Sequence, residues 1–235
     1  MALHLGSTGR VVSVQRPTAH YELDEIFGTA HGSGGGPQVY LVRQSPHGVT
    51  RPHYHEVDQY QVFTSGAGTI GRKTVRPTTV HYADAHTSYG PIVSGGDGVD
   101  YFTARFRADS GTYYMPESRG KKRKSGRHYT IAIDSDAAGV SGDLVTLIEP
   151  HADGLAAYLV RVAAGGRLTL PRLSGSGRLV TVMAGSLADP SGVEHGEWTW
   201  SYLDSPGEAN PCRAGGAGAM VLCLDYPHER GRCQA

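Results

Sequence analysis

The sequence predicts an all-β protein made of two tandem barrel units, and three observations carry this. Of the 235 residues 33 are glycine, about twice the usual share. Aromatic and β-branched residues fall in short runs between clusters of Gly, Pro, Ser and Asp, which is how a sandwich or barrel reads in sequence. A chain of this length buries either one large β domain or two small ones. The tetrapeptide Tyr40-Leu41-Val42-Arg43 returns unchanged as Tyr158-Leu159-Val160-Arg161, an offset of 118 residues, and this repeat decides for two.

Taken in order, residues 1–34 read as an N-terminal extension, with Tyr21-Glu22-Leu23-Asp24-Glu25-Ile26-Phe27 as a strand or short helix at the barrel edge. The run Gly32-Ser33-Gly34-Gly35-Gly36 lacks a Lys-Ser/Thr ending and a following helical pattern, so it is a flexible turn and not a phosphate cradle. The first unit spans 35–118, with strands expected near 38–44, 49–55, 58–64, 68–75, 78–83 and 100–107. In the last of these Tyr101, Thr103, Arg105 and Arg107 point one way; if that face looks inward, Arg105 can anchor a substrate carboxylate by paired hydrogen bonds. A linker at 119–142 carries Lys121-Lys122-Arg123-Lys124-Ser125-Gly126-Arg127 without interleaved aromatics, a solvated basic run. The second unit covers 143–228, and 229–235 is a tail.

The chemistry concentrates at His53-Tyr54-His55-Glu56-Val57-Asp58-Gln59. Strand side chains repeat with period two, so His53, His55 and Gln59 share a face, while Glu56 and Asp58 have the opposite parity. Neutral imidazole is the commonest metal ligand among side chains, and three donors on one wall leave the remaining positions open to water or substrate. A neutral amide at 59 leaves the ion's charge uncompensated, which makes it a stronger Lewis acid and a less tightly held one.

With Gly48 and Gly66 the stretch reads G-x4-H-x-H-x3-Q-x6-G, and in this form it resembles the first signature of the cupins, small β-barrels that hold a metal between two short motifs. The family's usual form has one more residue after the first Gly and a Glu where this chain has Gln59. A second motif, roughly G-x5-P-x-G-x2-H, has no clean match after Gly66. The segment from Thr79 to Pro91 occupies its place and offers His86 first, near the turn where the family's last ligand falls, and His81 second, inside the preceding strand. The resemblance implies a double-stranded β-helix or jelly-roll barrel and, with the duplication, a bicupin. It also implies one divalent metal held by His53, His55 and His86, with Gln59 as a weaker ligand or a hydrogen-bond donor.

In the second copy Gly48 maps to Gly166, Gly66 to Gly185, and Tyr82-Ala83-Asp84 to Tyr202-Leu203-Asp204. His53 becomes Pro171, His55 becomes Leu173, Gln59 falls among Ser176, Gly177 and Arg178, and His86 falls at Pro206. No metal site survives there, so its role is structural: packing, covering an edge, or building a subunit interface.

The 22 basic and 22 acidic residues balance, which argues against nucleic acid or anionic membrane as a partner. No basic cluster with an apolar core opens the chain and no apolar run reaches spanning length, so a cytoplasmic protein is expected. Cys212, Cys223 and Cys233 are odd in number and lack a C-x-x-C pair, as reduced thiols would be. The first functional expectation is a non-haem Fe(II) oxygenase on a small organic molecule, with Tyr60 and Tyr82 as acid/base or binding groups. Mn, Ni, Cu or Zn suit the same donors, so a metal-dependent isomerase, decarboxylase or lyase is the alternative. A small-molecule-binding cupin without catalysis is the third. A homodimer is expected, since open barrel edges call for cover.

Overall fold

The structure is a computed structural model that describes residues 10–28, 35–109, 111–133, 144–203 and 212–228. Residues 1–9, the Gly32–Gly34 part of the glycine run, Asp204, Pro206, Cys233, most of the expected linker beyond 133 and the tail lie outside these. The described residues divide into two compact units, 10–133 and 144–228.

The first unit holds β1 (Val11–Arg16), β2 (Ala19–Phe27), β3 (Gln38–Gln44), β4 (Val49–Thr50), β5 (His53–Tyr54), β6 (Gln59–Ile70), β7 (Lys73–Val75), β8 (Thr79–Ala83), β9 (Ile92–Arg105), β10 (Tyr113–Tyr114) and β11 (His128–Ala132). Its main sheet is antiparallel, in the order β1-β2-β3-β9-β6-β8-β11, with β4 on β9 and β7 on β6; β5 and β10 pair separately. The segment expected as an extension therefore supplies two strands of the sheet. The expected linker likewise supplies β11 against β8. The 49–55 stretch breaks at Arg51-Pro52, where proline removes a ladder donor. The break expected between 64 and 68 is instead a bulge within β6 at Gly66. Its φ is +68°, and a Cβ there would collide with the Gly98 carbonyl, so only glycine lets β6 run through.

Residues paired across an antiparallel ladder send their side chains to the same face. Register then stacks the inner wall in layers. Gln61 is level with His81 on β8 and Thr103 on β9, and Thr103 with Tyr40 on β3. One level toward the rim stand Ala83, Gln59, Arg105 and Gln38; one level deeper, Tyr101 is level with Val42. The deep layer is apolar, with Leu23, Val42, Phe63, Ile92 and Tyr101 buried together, each large side chain contributing about 1.5–3 kcal/mol on burial. The barrel thus has a greasy floor and a polar rim.

The second unit holds β12 (Leu144–Ile148), β13 (Ala156–Val162), β14 (Gly177–Ala188), β15 (Glu194–His195), β16 (Trp200–Leu203) and β17 (Arg213–Tyr226), in the order β12-β13-β17-β14-β15 with β16 on β14. β13 matches β3 in length and in its Tyr-Leu-Val-Arg core. Bulges fall at Phe63/Ser65 and Gly66/Gly68 in β6 and at Val182/Ala184 and Gly185/Leu187 in β14, an offset of 119 throughout. Its core gathers Tyr158, Val160, Val180, Val182, Val221 and Cys223.

Candidate functional site

The rim of the first unit surrounds a cavity of about 80 Å³ lined by His53, His55, Gln59, Gln61, Tyr89 and Arg105 among others. One water needs about 10–15 Å³ of such space, so the chamber suits a ligand of a few heavy atoms.

The hydrogen bonds fix which nitrogen of each imidazole faces the chamber. His53 Nδ1 lies 2.7 Å from the Arg51 carbonyl, an oxygen that only accepts, so Nδ1 carries the proton and Nε2 a lone pair. That lone pair accepts from the Tyr89 hydroxyl at 2.9 Å, and the same hydroxyl accepts from Gln59 Nε2. The Gln59 Oε1 is in turn committed to Arg105, which donates from Nε at 3.0 Å and Nη2 at 2.9 Å. Arg105 Nη1 donates to Gln38 Oε1 at 2.7 Å, and its guanidinium lies 5.6 Å from the centre of the Tyr40 ring. His55 Nδ1 donates to Asp109 Oδ2 at 2.6 Å and to the Gly111 carbonyl at 3.0 Å, which leaves its Nε2 as an acceptor 3.3 Å from Arg105 Nη2.

Burial keeps these rings neutral. It lowers His53 to about 3, helped by the neighbouring His55, Arg105 and His81 and opposed by the Arg51 carbonyl. Burial and the Arg105 charge lower His55, against the pull of Asp109. For Asp109 burial works upward, but the hydrogen bond from His55 and the Arg105 charge outweigh it and hold the carboxyl below its ordinary value. The pair is therefore a neutral imidazole donating to a carboxylate.

His81 shares the inward face. Its Nδ1 bonds Thr130 Oγ1 at 2.9 Å, while its buried Nε2 has no hydrogen-bond partner; burial lowers it too to about 3. Its ring centre lies 5.1 Å from that of Tyr89. His86 is placed elsewhere: it does not line the cavity, and its ring centre lies 5.5 Å from that of Tyr54. Its φ is +59°, the left-handed conformation that favours glycine. His86 thus fills the Gly position of P-x-G-x2-H, and Tyr89, three residues on, stands where that pattern ends. The spacing of three from position 86 is the sequence signal that points to Tyr89, a tyrosine where the pattern has a histidine.

Tyr60 and Tyr82, level with each other on β6 and β8, have the opposite parity to Gln59 and Gln61 and point away from the chamber. Their ring centres lie 4.7 Å apart, and Tyr82 donates to Asp84 Oδ1 at 2.6 Å. Arg105 is on the inner face, 2 % exposed. Asp109, Gln38 and Gln61 also belong to the site and carry no local motif.

The donor chemistry suits a divalent transition metal. Metal-binding histidines donate their outer N–H to a carboxylate or carbonyl and turn a neutral lone pair inward, as His53 and His55 do. Among the described residues no three His, Cys, Asp or Glu side chains converge on one point, so a third protein donor would have to be an amide or phenol oxygen.

No family profile matches the chain, and no curated protein matches it in sequence. Solved structures match its fold. A deletion mutant of Bacillus subtilis oxalate decarboxylase OxdC superposes with a TM-score of 0.62 at 11% identity, over 97% of this chain and 78% of that one. The B. subtilis oxalate decarboxylase studied for its Mn(II) centres gives 0.61 at 10% over the same shares. The nickel(II) complex of bacterial pirin YhhW from Escherichia coli gives 0.59 at 10%, over 96% and 99%. Among the described residues no helix is long and apolar enough to cross a membrane. The antiparallel sheets, their register and these likenesses together make this an all-β chain with a jelly-roll fold of the cupin type.

Proposed function

We propose that the chain is a metal-dependent enzyme whose first unit holds one divalent transition metal and acts on a small organic substrate bearing a carboxylate. The observation that carries this reading is the fixed orientation of His53 and His55, each anchored at Nδ1 by an obligate acceptor and presenting a neutral Nε2 to one chamber. The similar structures include one with Mn(II) centres and one with nickel(II). A bound ion would supply Lewis acidity and, as Fe(II), reactivity toward dioxygen.

The chain's own groups do the rest. Arg105 receives the carboxylate: a charged acceptor forms hydrogen bonds of about 1.5–3 kcal/mol, against about 0.5–1.5 for a neutral one, so a substrate can displace the Gln59 oxygen from the guanidinium. In the metal-free chain Tyr89 holds a proton at Oη between Gln59 and His53, where burial raises its pKa. The apolar floor excludes water. In this reading Tyr60 and Tyr82 pack and do not react, and His86 is not a ligand.

Non-haem iron oxygenation is the finer reading. A decarboxylase or lyase is the second, favoured by the buried arginine beside the imidazoles and by the likeness to oxalate decarboxylases. With metal-loaded protein and candidate small carboxylates, uptake of dioxygen in step with turnover selects the oxygenase, and CO2 release without uptake selects the second. His53→Ala combined with His55→Ala should abolish turnover and bound metal while leaving the far-UV spectrum and a cooperative melt. Undiminished turnover in that variant would refute both readings.

A further inference from the structure

We infer that Tyr89 is the third protein donor to the ion, its phenolate oxygen completing a His53, His55, Tyr89 set. This rests on the metal reading above and adds the residue that finishes the site. Three observations carry it.

Tyr89 is tied to His53 by a two-way backbone bridge, with His53 N–H on the Tyr89 carbonyl at 3.1 Å and Tyr89 N–H on the His53 carbonyl at 3.0 Å. A directly opposed pair of this kind sends both side chains to the same face. The Tyr89 ring consequently stands among three imidazoles, its centre 4.5 Å from that of His53, 5.1 Å from His81 and 6.4 Å from His55. Its oxygen lies 2.9 Å from His53 Nε2, within a hydrogen bond of a ligand lone pair.

Two competing donors, Gln59 Oε1 and Asp109, are committed elsewhere. Gln59 Oε1 takes two hydrogen bonds from Arg105 and only the amide N–H₂ is turned toward Tyr89; an N–H donor cannot ligate. Asp109 is held by His55 Nδ1. His81 Nε2 is uncommitted, but among the described residues no group of three His, Cys, Asp or Glu side chains has metal-holding geometry, and His86 is outside the cavity.

Charge supplies the third argument. Asp109 offsets the Arg105 charge from 3.8 Å, and neutral imidazoles do nothing to offset a dication beside them. A phenolate contributes the missing negative charge. On coordination the O–H bond breaks, the metal–oxygen bond forms and the proton leaves to solvent; no oxidant is consumed.

The test is titration of metal-stripped, full-length protein with Cu(II) sulfate, read by visible absorption, resonance Raman scattering and elemental analysis. One copper per chain, with a phenolate-to-copper charge-transfer band and tyrosinate ring modes excited under it, is expected. Tyr89→Phe should lose the band and weaken Cu(II) binding by at least about 10-fold, the lower end of what loss of an outer-shell partner costs. Tyr89→His should keep the metal and lose the band, which separates loss of the donor from loss of the fold. Copper bound without the band, or a band that survives in Tyr89→Phe, would overturn the inference and leave the metal reading intact. No copper bound by wild type would overturn both.

Discussion

At the rim of the first unit β6 and β9 end in Gln59 and Arg105; at the same level of the second unit β14 and β17 carry Arg178 and Asp225, directly paired. The bulge offset of 119 places Gln59 on Arg178, and both strand pairs keep one arginine at this point. In the second unit Arg178 is locked. It donates to both oxygens of Asp225, with Nη2 to Oδ2 at 2.7 Å, and its Nη1 reaches the carbonyl of Pro171 at 2.7 Å. Pro171 stands where the first unit has His53. The arginine and its carboxylate thus fill the space that the imidazoles line in the other copy. In the first unit the guanidinium has only amides and an imidazole as direct partners, with the nearest carboxylate oxygen 3.8 Å away. The same ladder closes one barrel with a bidentate ion pair and gives the other only the longer Arg105–Asp109 pair at 3.8 Å, which under the proposed function leaves room for a substrate anion.

Breaking the ion pair should have the largest effect. Asp225→Asn leaves Arg178 charged and buried, and should cost about 3–5 kcal/mol in a urea titration. Replacing both by apolar residues, Arg178→Met with Asp225→Leu, should restore most of that if the pair is only a plug. In the first unit Arg105→Lys keeps the charge and removes the fork, so kcat/KM for a carboxylate substrate should fall about 10- to 100-fold with little change in melting temperature. An equal loss with a neutral analogue would assign Arg105 a packing role.

Next come Gly66→Ala and Gly185→Ala, which test how alike the units are. Both glycines have positive φ, +68° and +74°, and at both a Cβ would meet the carbonyl of the opposing glycine, Gly98 or Gly218. Each should destabilise by about 1–3 kcal/mol, and a large difference between them would show that the duplication is not carried at the bulge. The last test is that of pH on metal-free protein, read as a slope. His53 and His81 titrate near 6.5 when unfolded and near 3 when folded, so between these values the unfolded chain binds more protons. Their contribution to stability is full above pH 6.5 and is lost as pH falls toward 3, by up to about 1.4 kcal/mol per histidine per pH unit. Replacing His81 by Gln should flatten that slope.

The β class, the duplication and the first wall of the site were legible because they are written locally. A tetrapeptide repeat survives in both copies, and the His-x-His spacing needs only a period of two. The far wall was not. Gln38, Asp109 and Tyr89 come to His53, His55 and Arg105 through long-range register, from 36 residues away in the case of Tyr89 and His53. The sequence predicts a break between 64 and 68 because nothing local announces that Gly98 lies across from Gly66. Tyr60 and Tyr82 read as acid/base or binding groups on residue type, although Tyr60 has the opposite parity to Gln59; Gln59 and Gln61 are the ones that line the cavity. Arg178 was legible only as one of three candidates for the place of Gln59, with Ser176 and Gly177; the constant offset of 119 that singles it out is fixed by the paired bulges of β6 and β14.

The most direct measurement is equilibrium dialysis of stripped wild-type protein against Fe(II), Mn(II) and Ni(II) under anaerobic conditions, followed by elemental analysis of the retained fraction. The account predicts close to one ion per chain, none in a His53→Ala/His55→Ala chain, and no change in that stoichiometry when Arg178 and Asp225 are replaced together. A folded wild-type chain that retains no ion of any of the three would contradict it.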